Sequence, residues 1–240
     1  MKVCLIGFGK MGRAIEQQLL LRGHQVAYKL GRNEEPFLEK ALADSDIAIE
    51  FSSPEAAVNH LKTCFKMQCP VICGTTGWTD AWDEIQDALK QSNSAFIFAS
   101  NFSIGVQLFF ELNRKLAQLM GSRPEYQCSI HEVHHTHKKD APSGTAISLA
   151  QDIIGNHPNY SSWSLDKQLS SETLPIYSER KDPVVGIHQI NYNSTIDTLE
   201  IKHTAHNRDG YALGAVLAAE FLIGKRGNFT MRDVLGLNSI

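Results

Sequence analysis

The chain has 240 residues, 42% hydrophobic and 20% charged, which suits one large or two modest globular domains with a buried core. A formal net charge of −3 excludes general attraction to nucleic acid or to an anionic membrane surface, so no such partner is expected and an anionic ligand needs a local group of cations. Five scattered cysteines without a C-x-x-C pair read as free thiols. With no leader pattern after Met1-Lys2 and no apolar run long enough to span a bilayer, they point to a cytoplasmic protein.

Val3 to Ile6 is an apolar run ending in glycine, and Met11 to Arg22 carries Ile15, Leu19 and Leu20 at helical spacing, so the chain opens as strand, tight turn, helix. Between them Gly7, Phe8, Gly9, Lys10, Met11 and Gly12 have the G-x-G-x-x-G spacing. Missing side chains there permit the tight turn, close approach of a pyrophosphate and helix-on-strand packing, with the helix N-terminus facing the phosphates. Such glycines also occur in turns for conformational reasons alone; their place between a strand and a helix favours a dinucleotide.

Gln25 to Leu30 forms a second strand, ending in Tyr28-Lys29-Leu30-Gly31-Arg32. An NAD-preferring site offers an acid there, about twenty residues beyond the glycines. Lys29 and Arg32 instead suit a 2′-phosphate and favour NADPH; Glu34 and Glu35 keep NADH open, and solvated loop charges are the bland alternative.

Ile47 to Phe51, Val71 to Cys73 and Ala95 to Ala99 are further buried runs, separated by helical stretches at Pro54 to Met67 and Thr79 to Gln91. This alternation predicts an α/β fold, a Rossmann-like parallel sheet with helices on both faces. Gly74, Thr75, Thr76 and Gly77 then fall at the carboxyl edge of the sheet, where they can hold a nicotinamide amide or simply turn the chain.

After Asn101 the pattern changes. A helix is expected over Ile104 to Met120, a weakly alternating strand over Glu125 to Val133, a helix over Thr145 to Ile154, and strands at Val185 to Tyr192 and Thr198 to His203. Gly155 to Leu174 reads as a polar surface excursion with at most one short helical piece, and Tyr211 to Ile223 as a last, small-residue-rich helix. The expectation is two domains, the first binding dinucleotide and the second α+β with a mixed or antiparallel sheet.

The densest chemistry lies in His131-Glu-Val-His-His-Thr-His-Lys-Lys-Asp-Ala-Pro-Ser-Gly-Thr145. Histidine titrates nearest neutrality; lysines lower its pKa and a bound dianion raises it, so substrate binding itself can charge the acid. Ser143, Gly144 and Thr145, behind Pro142, look like a helix start that can accept a carboxylate, or serve only as a good N-cap. Strand parity puts His131, His135 and His137 on one face and His134, Thr136 and Lys138 on the other. Four histidines invite a metal, yet Lys138 and Lys139 repel a dication and no cysteine or carboxylate is spaced to complete a familiar set, so no metal is expected.

The chain resembles the 4-hydroxy-tetrahydrodipicolinate reductase (dihydrodipicolinate reductase) family nearly end to end. The resemblance rests on the N-terminal glycines, Glu50-Phe-Ser-Ser-Pro54, Gly74-Thr-Thr-Gly77, Asn101-Phe-Ser-Ile-Gly-Val106, the segment Glu132 to Thr145, Gly186-Ile-His188, His203-Thr-Ala-His-Asn-Arg208 and Met231-Arg-Asp-Val-Leu235. It implies NAD(P)H-dependent reduction of a cyclic imine dicarboxylate, with His134 as acid/base residue and Lys138 as a substrate-binding cation sharing that role. His135, Ser143, Gly144 and Thr145 would bind the substrate carboxylates. Phe51, Gly74, Thr75, Thr76, Ser100, Asn101 and Phe102 join the glycine segment, Lys29 and Arg32 as coenzyme residues. The resemblance also implies that the last helix returns to the first domain, giving residues 1–105 with 207–240 as the dinucleotide-binding domain and 106–206 as the substrate-binding and oligomerisation domain, with a homotetramer joined through sheets of the second domain and closure about linkers near Gly105 and Asn207. Thr136 stands where many relatives carry Arg or Asn, and the second strand lacks a clear acid at its end.

Overall fold

The computed structural model describes residues 1–32 and 34–239. The chain divides into two compact units, Met1–Ile104 with Arg208–Ile240, and Gly105–Asn207.

The first unit begins with β1 (Lys2–Ile6), α1 (Lys10–Leu21), β2 (Gln25–Leu30), α2 (Leu38–Ala43), β3 (Ile47–Glu50), α3 (Pro54–Lys66), β4 (Val71–Cys73), α4 (Trp82–Lys90) and β5 (Ala95–Phe98). The central strands are short unbroken apolar runs, as strands covered on both faces require. Successive residues of β1 alternate between two cores: Cys4 and Ile6 pack with Leu61, Phe65 and Ile85, while Val3 and Leu5 pack with Ile15, Leu19 and Val216.

The second unit contains α5 (Ile104–Met120), which starts at the unit boundary, β6 (Gln127–His134), α6 (Gly144–Asn156), β7 (Ser162–Leu165), β8 (Thr173–Arg180), β9 (Gly186–Asn193) and β10 (Thr198–Ala205). Its sheet runs β10-β9-β6-β8-β7. It is mixed: β6 is antiparallel to β9 and parallel to β8, and β7 is parallel to β8. Its apolar core joins Phe109, Phe110 and Ala117 of α5 and Leu149 and Ile153 of α6 to Ile130, Ile176, Ile190 and Tyr192 of the sheet. The opposite sheet face carries His131, Tyr177, Gln189 and Glu200, with the His131 and Tyr177 rings 4.7 Å apart and Gln189 donating to Glu200.

The chain then returns to the first unit through α7 (Asp209–Leu222), β11 (Gly227–Phe229) and α8 (Met231–Val234), giving the all-parallel order β11-β5-β4-β3-β1-β2. All five cysteines are unpaired and buried. Among the described residues no helix is long and apolar enough to cross a membrane.

Several elements differ from the sequence reading. The excursion over 155–174 holds a strand, β7, in place of a helical piece, and its polar flanks hide the alternation of Ser162-Trp-Ser-Leu165. Strand β8 lies inside the sheet despite Pro175, a residue that cannot donate to a ladder. Tyr211 to Ile223 is not the last helix: α8 follows, opened by a capping box between Thr230 and Asp233. Parity along the histidine segment holds only as far as His134, where β6 ends.

Small residues let α7 lie close to its neighbours. A Cβ on Gly214 would fall on the Phe102 carbonyl, a backbone group that cannot swing away. Gly214→Ala should therefore lower stability by about 1–3 kcal/mol, the usual cost of overpacking, read as a lower midpoint in thermal unfolding. An unchanged midpoint would show that α7 can shift freely.

Candidate active site

In the first unit the glycine segment makes a tight turn into an uncapped helix start. Gly7 has φ +94°, and a Cβ there would strike the Phe51 carbonyl, while one on Gly12 would strike the Gly7 carbonyl. Gly9, by contrast, faces open space at the N-cap of α1, where no side chain caps the helix. Its amide end is therefore accessible to an anion. Lys10, Met11 and Gly12 form the first turn of α1. A cleft of about 600 Å³ opens beside this turn, lined by Gly7, Phe8, Gly9, Arg32, Phe51 and His60 among others. It lies over the carboxyl ends of β1, β2 and β3, where the strand order reverses.

The other expected coenzyme residues are placed unequally. Arg32 lines the cleft, but Lys29 is ion-paired with Glu16 and lies over the Phe8 ring, 5.1 Å from its centroid. The Glu34 carboxylate turns back to accept from the Gly31 amide. Gly74 lies flat against the Phe51 ring, leaving no room for a Cβ. Thr75 is buried, accepting from the Ser52 amide at 2.8 Å and from Trp78 Nε1 at 2.7 Å, so it braces the loops after β3 and β4, and Thr76 is exposed beside it. Ser100 is exposed, whereas Asn101 and Phe102 are buried; Asn101 Oδ1 accepts from the Ser103 amide, and the Phe102 ring lies 5.7 Å from Phe51.

Beneath this surface is a carboxylate to which the sequence reading gave no role. Glu50, fully buried at the end of β3, accepts from Ser52, from Cys73 Sγ at 3.1 Å and from His60 Nδ1 at 3.4 Å. Burial alone would raise its pKa; the hydrogen bonds from His60, Ser52, Thr75 and Cys73 outweigh that and lower it.

In the second unit β6 and α6 bring together a different set. His134, at the end of β6, is buried, with Nδ1 3.5 Å from Glu132 Oε2 and without a well-aligned hydrogen bond among the described residues. Burial pushes its pKa down to about 4, the Glu132 charge opposing and His188, Lys138 and Arg180 assisting. Ser143 is the N-cap of α6, its Oγ accepting from the Ala146 amide, and Gly144 beside it faces open space. His135 and Lys138 lie in the loop between β6 and α6, with the Lys138 ammonium 2.8 Å from Asp140. Thr136 ties that loop to Asp182 through its amide at 3.2 Å and through its hydroxyl. Thr145 follows Gly144 in the first turn of α6.

The residues without an expected role are Glu132, His188 and Arg180. Glu132 stands two positions before His134, so strand parity alone places both on one face, a signal present in the sequence. Glu132, His134 and His188 offer ligand atoms within 4.8 Å of one another, a carboxylate proximity that sequence spacing did not anticipate because β9 supplies one histidine. Glu132 nevertheless already accepts from the Ser143 amide and Ser178 Oγ, with Arg180 Nη2 at 3.5 Å, so the pocket's negative charge is already met by donors and a cation.

Two family models match the chain, "Dihydrodipicolinate reductase, N-terminus" over residues 1–102 and "Dihydrodipicolinate reductase, C-terminus" over 105–235. A 4-hydroxy-tetrahydrodipicolinate reductase of Christiangramia forsetii is 46% identical over 235 residues, covering 98% of each chain. One from Neisseria meningitidis serogroup C is 35% identical, covering 90% of this chain and 82% of its own. Among solved structures, dipicolinate-bound dihydrodipicolinate reductase from Paenisporosarcina sp. TG-14 superposes with a TM-score of 0.75 at 21% identity, covering 96% and 97% of the two chains. A probable dehydrogenase from Thermotoga maritima reaches 0.60 at 11% identity, covering 98% and 92%.

The lowered pKa of His134 has a definite sign in stability. Below about pH 6.5 the unfolded chain takes up a proton at this position that the folded chain refuses until about pH 4, so acidification through that window favours unfolding. His134→Gln removes the term, and thermal midpoints should fall less steeply between pH 6.5 and 4 than in the wild type. Parallel curves for the two proteins would contradict it.

Proposed function

The chain belongs to the dihydrodipicolinate reductase family, and on that premise we propose that it reduces 4-hydroxy-tetrahydrodipicolinate, through the cyclic imine formed by loss of water, to tetrahydrodipicolinate in diaminopimelate and lysine biosynthesis. The observation that carries this reading is one buried carboxylate, Glu132, within 3.5 Å of the His134 imidazole and 3.2 Å of the Ser143 amide. It holds a proton carrier a few ångströms from a helix start suited to a carboxylate. A nicotinamide coenzyme bound by the first unit supplies the hydride.

The second unit holds the ring and manages the proton. The Gly144 amide lies in the first turn of a helix, where amides lack an intrahelical acceptor, and its open flank admits a substrate carboxylate. Ser143 and Thr145 hydroxyls, His135 and the Lys138 ammonium complete the carboxylate site. His134 is neutral at pH 7 when the site is empty, and two incoming carboxylates raise its affinity for a proton. Charged by the ligand, the imidazole quenches the negative charge that hydride addition leaves on the conjugated ring, with Lys138 stabilising that charge as it develops.

Arg32 in the cleft, together with Glu34 folded back on Gly31, supports NADPH over NADH. The family resemblance and a sheet face of the second unit that α5 and α6 leave uncovered support a homotetramer joined through those sheets. The unpaired, buried cysteines are in keeping with a cytoplasmic protein.

With freshly generated precursor, His134→Gln and Lys138→Ala should each lower kcat by ~10²–10⁴. Coenzyme affinity, read by fluorescence titration, should stay near wild type. Wild-type turnover in both variants would remove the acid assignment.

For coenzyme choice, loss of a charge-assisted contact worth about 1.5–3 kcal/mol means that Arg32→Ala should raise KM for NADPH at least about tenfold and leave that for NADH almost unchanged. Equal effects on the two would remove Arg32 from the 2′-phosphate.

A further inference from the structure

Glu132 does more than fill the core of the second unit. Its two oxygens have different company. Oε1 accepts from Ser178 Oγ at 2.6 Å and the Ser143 amide at 3.0 Å, with Arg180 Nη2 at 3.5 Å. Oε2 faces two imidazoles, His134 Nδ1 at 3.5 Å and His188 Nε2 at 3.6 Å, with the Ser143 amide at 3.2 Å. One oxygen thus anchors the carboxylate to the helix start and β8, and the other is presented to the histidines.

The arrangement selects a tautomer. His134 Nδ1 is buried, makes no hydrogen bond among the described residues, and has one negative neighbour, the Glu132 carboxylate at 3.5 Å, whose field favours the hydrogen on this nitrogen of the neutral ring. Nε2 is left as the atom that gains and loses the proton. It passes beside Gly186, where a Cβ would lie 3.3 Å from it, tighter than ordinary contact. The His188 ring stands edge-on to His134 at 5.0 Å, and its Nε2 is 3.1 Å from Ser143 Oγ, so the imidazole is backed by a side chain tied to the same helix start. Arg180 adds a bond to the Asp140 carbonyl at 2.6 Å and one to Ser178 Oγ at 2.9 Å, fastening the loop that carries Lys138 to the same carboxylate.

We propose that Glu132 is the positioning residue of the reaction: its single buried carboxylate fixes the proton-carrying tautomer of His134 and, through Ser143 and Arg180, holds the carboxylate-binding helix start and the Lys138 loop in register with it. This inference rests on the reading of His134 as the acid. Proton affinity and substrate affinity are then coupled through one residue that touches neither ring nor coenzyme. Burial acts to raise the Glu132 pKa, but hydrogen bonds from His188, Ser143 and Ser178 prevail and hold it far below the ordinary range, so the charge that orients His134 persists at every working pH.

The test compares full-length wild type with Glu132→Gln, Glu132→Asp and His134→Gln. Two quantities separate positioning from mere structural support. One is the alkaline limb of the kcat–pH profile. The other is proton uptake on binding pyridine-2,6-dicarboxylate at pH 7, measured by calorimetry in buffers of different ionisation enthalpy. Coenzyme affinity reports folding of the first unit, and circular dichroism that of the whole chain.

Wild type should take up close to one proton. In Glu132→Gln, which keeps the shape and loses the charge, uptake should fall by more than half, the alkaline limb should move about one pH unit lower, and substrate KM should rise about tenfold, the scale of one charged hydrogen bond. Glu132→Asp keeps the charge but draws it back, and should show the same changes at smaller size. Wild-type uptake and limb in a folded Glu132→Gln, beside a His134→Gln that is inactive, would overturn the inference alone. Wild-type turnover in His134→Gln would remove the acid assignment and this inference with it. If Glu132→Gln does not fold, Glu132→Asp decides, and a wild-type limb there overturns the proposal.

Discussion

An ionised carboxylate withdrawn from water survives only when donors surround it, and this requirement shapes the second unit around Glu132. Its donors come from distant parts of the chain: the Ser143 amide opens α6, Ser178 and Arg180 belong to β8, and His188 to β9. Satisfying one buried charge therefore fixes a strand pair, a helix start and the loop between β6 and α6. No large apolar contact could do this, because hydrophobic packing is non-directional, whereas each hydrogen bond specifies an angle and a partner. The apolar core of α5, α6 and the sheet supplies burial, and the carboxylate supplies alignment.

The first unit repeats the device. Glu50, at the carboxyl end of β3, draws in Ser52, His60 and Cys73 beneath the cleft, and Thr75 joins through the Ser52 amide. Phe51, next along the chain, is pressed between the Gly7 turn and the face of Gly74. The loops that would touch a coenzyme are thus tied to one another below their surface, while Gly9 stays open above. In both units an ionisable group at or near a strand end sits beneath the candidate site and ties its loops together.

This explains which parts of the chain were legible from sequence. Unbroken apolar strands and the glycine segment announce a parallel sheet, since burial on both faces and the lack of Cβ atoms at Gly7 and Gly12 are local properties. Pro175 concealed β8, and the polar surroundings of Trp163 concealed β7, because both strands depend on neighbours distant in sequence. Glu132 and Glu50 both stood inside recognisable motifs, yet their burial follows from sheet packing. A charged residue in an alternating strand reads as solvent-facing until the opposite layer is known. Lys29 shows the converse: its sequence position suits a phosphate, and the fold also brings it into an ion pair with Glu16 on the first helix, a partner that strand spacing does not announce.

On the proposed reading, the resting substrate site carries little free positive charge. His134 is neutral near pH 7, and the Lys138 ammonium is held by Asp140. A monoanion arriving there must compete with Asp140 for Lys138 and has little left with which to charge His134. A dicarboxylate can do both, one group drawing on the helix start and lysine while the field of the pair raises the proton affinity of the imidazole. Selectivity for doubly charged ligands then needs no permanently strong cationic pocket, and a chain of net charge −3 avoids collecting unrelated anions at the site. The acid is armed by the ligand it is meant to protonate, which ties chemical competence to correct occupancy in a single electrostatic step.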